Sequence, residues 1–477
     1  MPPSSSVRVR KDVWKLSQWH PILEWYAKAI ADMQARPIND PTSWRYQAAI
    51  HVYIPANDPN ATPGEHLPSD QKRFWRKCQH HSWFFLPWHR MYLACFEQII
   101  AATVLKLGGP SDWALPYWNY SDPKNPNARK LPPAFRAPTL PGGGPNPLRI
   151  TQRAPDCNLG NEIAEEAEVD LSQCLSDPQF PADPHGGSVG FGGPETKFNH
   201  SQGRVGDVEQ LPHNSMHGAV GGSDGWMSAF ETAALDPLFW LHHANIDRLW
   251  EVWRLRDPAH VNPTGGVWST LNFEFHADDG SIAKFAASEV VDTTAAKLGY
   301  RYEDVADPLA AVERLAPRRA LMEKPLPEMV GATEKPIALS EAAATASLSI
   351  SAPTGPARAA REAAAGPRRA YLNIENVTGT GTTTYRVYLN LPTNADPRKH
   401  EDQFVGIVST FGVREASRRD EDQTGSGLHY ALEVTDVIQR LSERGDWDPK
   451  SLRVTFVPKH RGKSPEIQVG RLSLYYV

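Results

Sequence analysis

The chain has 477 residues, 40% of them hydrophobic, with 15 tryptophans and a formal net charge of −5. That length exceeds a typical domain of about 150 residues, so more than one domain with a sizeable core is expected. The small charge, without a basic stripe, argues against nucleic acid and anionic membrane surfaces as partners, and no apolar run approaches the about 18 residues that span a bilayer.

The opening MPPSSSVRVRKDVWKL carries charge but no apolar stretch of the signal-peptide kind. A cytoplasmic location is therefore expected, with export on a partner protein left open. Residues 14–35 have apolar positions at helical spacing and predict a first core helix. Residues 44–52 predict a shorter helix carrying His51. Residues 74–107 include HHSWFFLPWHR, with His80, His81 and His89, and are expected to be helical after Pro87, since proline is tolerated in a first turn. Residues 121–206 are rich in Pro and Gly and predict long loops with a few short helices, on which His185 and His200 are exposed. The four cysteines are too few for a disulfide scaffold. Cys95 reads as a small buried hydrophobe. Cys157 and Cys174 flank an acidic segment and either bridge or stay as thiols.

Residues 205–250, VGDVEQLPHNSMHGAVGGSDGWMSAFETAALDPLFWLHHANIDRLW, organise the chain. His213 and His217 stand four apart, so on a helix they share a face and can grip one ion. A hydrolytic zinc site of this spacing needs a Glu after the first His; Asn214 stands there. Asp236-Pro237 marks the start of a helix that carries His242 and His243. Helix neighbours differ in direction by about 100°, so spacing leaves open which of the two faces a metal. Two sets of imidazoles with no carboxylate among them suit copper or zinc.

Beyond Trp253 the pattern is mixed as far as Tyr300 and Tyr302. Residues 306–369 turn Ala- and Pro-rich and predict a linker, partly helical over 309–323. From residue 370 the period becomes two: Tyr385, Val387, Leu389 and Leu391 alternate with Arg386, Tyr388 and Asn390, and Leu452, Val454 and Phe456 repeat the theme. The expected fold is thus mainly α, a helical-bundle core with long loops over 1–305, followed after the linker by a smaller β-sandwich-like domain over 370–477.

FLPWHR and DPLFWLHHANIDRLW, in that order, resemble the two copper-binding signatures of the tyrosinase, catechol oxidase and hemocyanin group, the coupled binuclear type 3 copper proteins. The resemblance covers about residues 8–305 and implies two copper ions, O2 as co-substrate and small phenols as substrates. It assigns His51, His80 and His89 to the first copper and His213, His217 and His243 to the second. His81 is then a non-ligand, and His242 packs or hydrogen-bonds nearby. Asp247, one turn after His243, is the expected acceptor for a ligand N–H. Phe85 matches the aromatic beside both metals, and Phe230 the plant-type gate. Glu209 and Asn214 match a pair that holds a water, from which Glu209 can help take a phenol's proton.

These residues imply a tyrosinase, which hydroxylates monophenols at the ortho position and oxidises o-diphenols to o-quinones. The alternatives are a catechol oxidase without monophenolase activity and a hemocyanin-like O2 carrier. Cys78 matches the fungal Cys-x-His thioether to His80, whereas Glu209 and Phe230 follow the plant pattern, whose own cysteine position is Pro55 here. Tyr300 and Tyr302 resemble the Tyr-x-Tyr closing the family's core, with Arg8 or Arg10 as partner. The C-terminal domain loosely resembles the one that covers the copper site in plant polyphenol oxidases. It is expected to act as a lid, inserting a side chain such as Phe404 or Phe411. The rival role is self-association into a homo-oligomer through its strand edges.

Overall fold

The computed structural model describes residues 7–183, 187–198, 203–310, 327–350, 369–419, 424–448, 452–459 and 466–477. His185, His200 and nearly all of the helix expected over 309–323 lie outside them. The first helix runs over Pro21–Gln34 and not from residue 14. His20 caps it by accepting the Ile22 N–H at 3.2 Å, and Pro21 opens its first turn; the preceding stretch makes only a short 3-10 turn, Val13–Lys15. Trp44–His51 follows, capped by Ser43.

The centre of the bundle is the pair of helices Phe85–Lys106 and Pro237–Arg256. Both are buried along most of their length; the first is largely apolar, and the second also buries His242, His243, Asn245, Asp247, Arg248 and Glu251. Phe96 and Trp240 stack between them at 3.4 Å. Asp236 caps the second helix, accepting the Leu238 N–H at 2.9 Å, and is itself paired with buried Arg153 at 2.6 Å.

A buried ionic network ties the chain's start to the end of the core. Arg8–Arg10 pairs in parallel with Tyr300–Tyr302. Arg10, not Arg8, is the partner of the two tyrosines: its guanidinium lies 3.5 Å over the Tyr300 ring and donates to the Tyr302 hydroxyl at 2.9 Å and to Glu97 at 2.8 Å. Asp247 belongs to this network, which corrects its expected role. Its carboxylate accepts from Arg90 at 2.5 Å, from the Tyr300 hydroxyl at 2.6 Å and from the Tyr302 hydroxyl at 2.5 Å, and no ring nitrogen of His243 bonds to it. Burial alone would raise this carboxyl; the Arg90 and Arg10 guanidinium groups hold it below the usual value. Charged donors outcompete a neutral imidazole N–H for the same oxygens. Arg248 lies over the Tyr117 ring at 5.1 Å.

Among the described residues the C-terminal unit supplies nine strands of a ten-stranded sheet, which share one core of Leu372, Ile374, Val387, Leu389, Val454 and Leu472, among others. Three of its strands, Glu328–Ala332, Ile337–Leu339 and Ala344–Ile350, come from the segment expected to be linker. ATASLSI does alternate, with Leu348 and Ile350 buried and Thr345, Ser347 and Ser349 exposed. Its small residues gave that alternation too little hydrophobic contrast to stand out from an Ala-rich run. None of the four cysteines is in a disulfide, and the thiols of Cys157 and Cys174 point separately at the Val220 and Leu171 carbonyls, each at 3.5 Å. Among the described residues no helix is long and apolar enough to cross a membrane.

The sheet is docked on the helical core. Gly203–Arg204 of the core extends it as a parallel strand beside Leu428–Glu433. Arg386 pairs with Glu165 at 2.5 Å, Arg76 with Glu415 at 3.4 Å, Arg414 with Glu231, and Lys459 with Glu168. The Thr382 hydroxyl donates to the Ser228 carbonyl at 2.7 Å and the Ser409 hydroxyl to the Asn214 carbonyl at 2.9 Å.

Candidate metal centre

Four elements bring the histidines together. His51 ends the Trp44–His51 helix, and His80 precedes the Phe85–Lys106 helix, which carries His89 in its second turn. His213 lies on a kinked π-helical turn, Glu209–Asn214, which runs into the helix Ser215–Gly221 with His217; His243 lies on Pro237–Arg256. The rings of His51, His80 and His89 are 5.1, 5.2 and 5.9 Å apart. Those of His213, His217 and His243 are 4.6, 4.9 and 5.7 Å apart. Donor atoms of His213, His217, His242 and His243 lie within 4.8 Å of one another, as do those of His51, Cys78 and His80. His89 and His243 stack face to face at 4.3 Å and join the two groups.

The backbone sets which nitrogen each ring offers. His51 Nδ1 sits 2.9 Å from the Phe230 carbonyl, His89 Nδ1 2.8 Å from that of Phe85, and His217 Nδ1 2.8 Å from that of Met227. His213 Nδ1 lies 2.8 Å from Asn214 Oδ1. A carbonyl oxygen can only accept, so each Nδ1 carries the proton and each Nε2 presents a lone pair inward. The Nε2 atoms of His89, His213 and His217 are buried with no hydrogen-bond partner, a costly state unless a metal takes the lone pair. Burial, reinforced by the neighbouring rings, pushes His80, His89, His213, His217 and His243 well below the ordinary histidine range, so all are neutral.

Phe85 lies between the groups, 4.8 Å from both His89 and His213 and 5.7 Å from His80. Phe230 stands 4.4 Å from His80. Over the second group sits Phe411 of the sheet, stacked on His217 at 3.9 Å with planes 10° apart and touching Phe230 at 4.8 Å. Phe404 is not at the site; it packs on Arg386 and Tyr388 within the sheet.

A model of the common central domain of tyrosinase matches residues 41–256, and a domain of unknown function (DUF7868) matches 326–477. A tyrosinase of Hahella sp. (strain CCB-MM4), HcTyr1, is 38% identical over 98% of this chain and 99% of its own length. The chain belongs to the tyrosinase family. A chloroplastic polyphenol oxidase of Malus domestica is 27% identical over 67% of this chain and 52% of its own. The fold extends over both units: latent apple tyrosinase superposes with a TM-score of 0.61 at 23% identity, covering 99% of this chain and 98% of that one. Latent aurone synthase reaches a TM-score of 0.65 at 21% identity, covering 100% and 90%.

For a tyrosinase the donor set fits two copper ions. Both groups are imidazole-rich, buried and free of carboxylate ligands, and the Nε2 atoms of His89, His213 and His217 have no hydrogen-bond partner. His51, His80 and His89 would hold one ion and His213, His217 and His243 the other. Cys78 lies in the first group beside His80, where a thioether would require it, and burial pushes its thiol up.

Asn214 Oδ1 lies 2.8 Å from His213 Nδ1, and Asn214 Nδ2 is buried without a partner among the described residues. Glu209 accepts the His81 N–H with both oxygens, at 2.9 and 3.1 Å. His81 adopts a left-handed backbone, φ 51°, directly after His80. Burial pushes the Glu209 carboxyl well up; bound copper would supply the positive charge that restores its ionised form. Sequence reasoning could not choose Phe411 over Phe404. The available signal was Phe411-Gly412 at a strand end: Gly412 has φ 83°, and a Cβ there would meet the Phe230 ring at 2.8 Å.

Proposed function

We propose that this tyrosinase hydroxylates monophenols as well as oxidising o-diphenols, and that its C-terminal unit holds the site shut. The observation that carries the first part is Glu209, a buried carboxylate hung on the His81 amide directly after the ligand His80. The two copper ions, when bound, supply the redox chemistry between dioxygen and the phenol. The protein's residues do the rest. Phe85, Phe230 and the ligand rings form an apolar, aromatic slot that orients a phenol ring and excludes water. Glu209 accepts the phenolic proton, a task a catechol oxidase needs less because a diphenol is more acidic and already oxygenated. His213, held by Asn214, and His217, held by Met227, keep the lone pairs aimed while this happens.

Phe411 lies flat on His217, where an aromatic substrate would have to lie. A catalytic unit over 1–305 closed by a lid over 326–477 accounts for that placement, and the salt bridges and parallel strand described above keep the lid seated. Oxygen uptake by copper-loaded protein, with one monophenol and one catechol, tests the function. Turnover of both supports a tyrosinase, catechol alone a catechol oxidase, and neither, with O2 still bound, an O2 carrier.

A further inference from the structure

The second group contains one imidazole more than an ion with three histidines requires. His242 precedes His243, and the spacing argument could not tell which of the two faces inward; the structure brings both. The rings of His213, His217, His242 and His243 form six pairs. Those with His242 measure 5.2 Å to His213, 4.9 Å to His217 and 5.1 Å to His243, within the 4.6–5.7 Å spread of the other three. An imidazole nitrogen lies about 2.0 Å from a bound ion, which places the centroids of rings sharing a tetrahedral ion about 5 Å apart. His242 satisfies that spacing against all three assigned ligands at once.

Its hydrogen bonding follows the ligand pattern too. His242 Nδ1 sits 3.1 Å from the Tyr120 hydroxyl, much as the Nδ1 atoms of His213 and His217 sit on oxygens. Its Nε2 is fully buried and meets no hydrogen-bond partner among the described residues. A histidine serving packing alone would leave that nitrogen's desolvation uncompensated.

We propose that His242 is a fourth imidazole for the second copper, engaged when that copper is bound without its neighbour. The inference rests on the copper reading of the site. A lone ion in the second site then has four nitrogen donors, while a lone ion in the first has three imidazoles. The second site therefore fills first and releases its ion last.

The test uses full-length His51→Ala protein, in which the second site is isolated, loaded with one equivalent of Cu(II). The expected electron paramagnetic resonance spectrum shows a single Cu(II) with four nitrogen couplings. Adding His242→Phe, which keeps the ring but removes its donors, should reduce this to three nitrogens and speed loss of copper to a chelator about 10-fold or more, the scale found when support around a metal is removed. Tyr120→Phe gives a second, milder variant, also expected to release copper faster. His243→Phe should still hold one copper, and His242→Phe/His243→Phe should not. Identical couplings and release rates with and without His242, in folded protein, overturn the proposal. Absence of any copper from the parent protein overturns the copper reading itself, a separate outcome.

Discussion

His89 and His243 lie face to face, 4.3 Å between ring centroids with planes 10° apart, although they come from different helices and serve different metal groups. The contact fixes the two candidate copper positions side by side, and burial keeps both rings neutral, so the stack carries no charge repulsion. The sites are therefore coupled in position but separate in ligands. His51→Ala should lower copper from two ions per chain to one and abolish turnover of both phenol classes. The remaining Cu(II), no longer paired, should become visible by electron paramagnetic resonance. Two retained coppers would refute the assignment of His51.

Glu209→Gln keeps an acceptor for the His81 N–H but cannot take a proton. Monophenol hydroxylation should fall by about 100-fold, the lower end of what acid–base groups contribute, and catechol oxidation by much less. Comparing kcat/KM on the two substrates checks this. Equal losses would mean that Glu209 serves the loop and not the chemistry.

A buried pair of carboxyls lies where the lid meets the core. Asp207 and Asp177 are hydrogen-bonded to each other, with Gln173 donating to Asp207 at 2.6 Å and the Ser188 hydroxyl to Asp177. Two carboxyls in contact share a proton, and burial followed by the charge of Asp177 pushes Asp207 well up; Glu433 of the sheet adds to this, while Arg369 opposes the shift at Asp177. Because the folded value exceeds the unfolded one of about 3.9, the stability this proton confers is complete below that value. It is lost as pH rises through the raised folded value. Asp207→Asn should therefore show a smaller fall in Tm with rising pH than the parent chain. Parallel Tm curves would contradict the shared proton.

Much of this was legible in the sequence for a physical reason. Metal ligands need fixed spacing and an unusual residue, so the histidine clusters stood out; the family resemblance picked His51, His80, His89, His213, His217 and His243 from them, and these do converge. Neighbours on one helix turn could not be separated that way, and both His242 and His243 reach the second group. Asp247 was misplaced because its sequence distance to His243 was visible, whereas the competing donors Arg10, Arg90, Tyr300 and Tyr302 come from distant segments. The strands over 328–350 were hidden by small residues whose pairing depends on partners elsewhere in the chain.

The central claim is that this tyrosinase is closed by its own Phe411. The most direct measurement is kcat/KM of full-length, copper-loaded Phe411→Ala on a small phenol and on a bulky one, beside the parent protein. The account predicts a gain of at least about tenfold on the small phenol, equivalent to about 1.4 kcal/mol of removed obstruction. The bulky phenol should gain less, because the rest of the lid still covers the site. Rates equal to the parent's, with copper content unchanged, would contradict it and leave the sheet with a role in self-association.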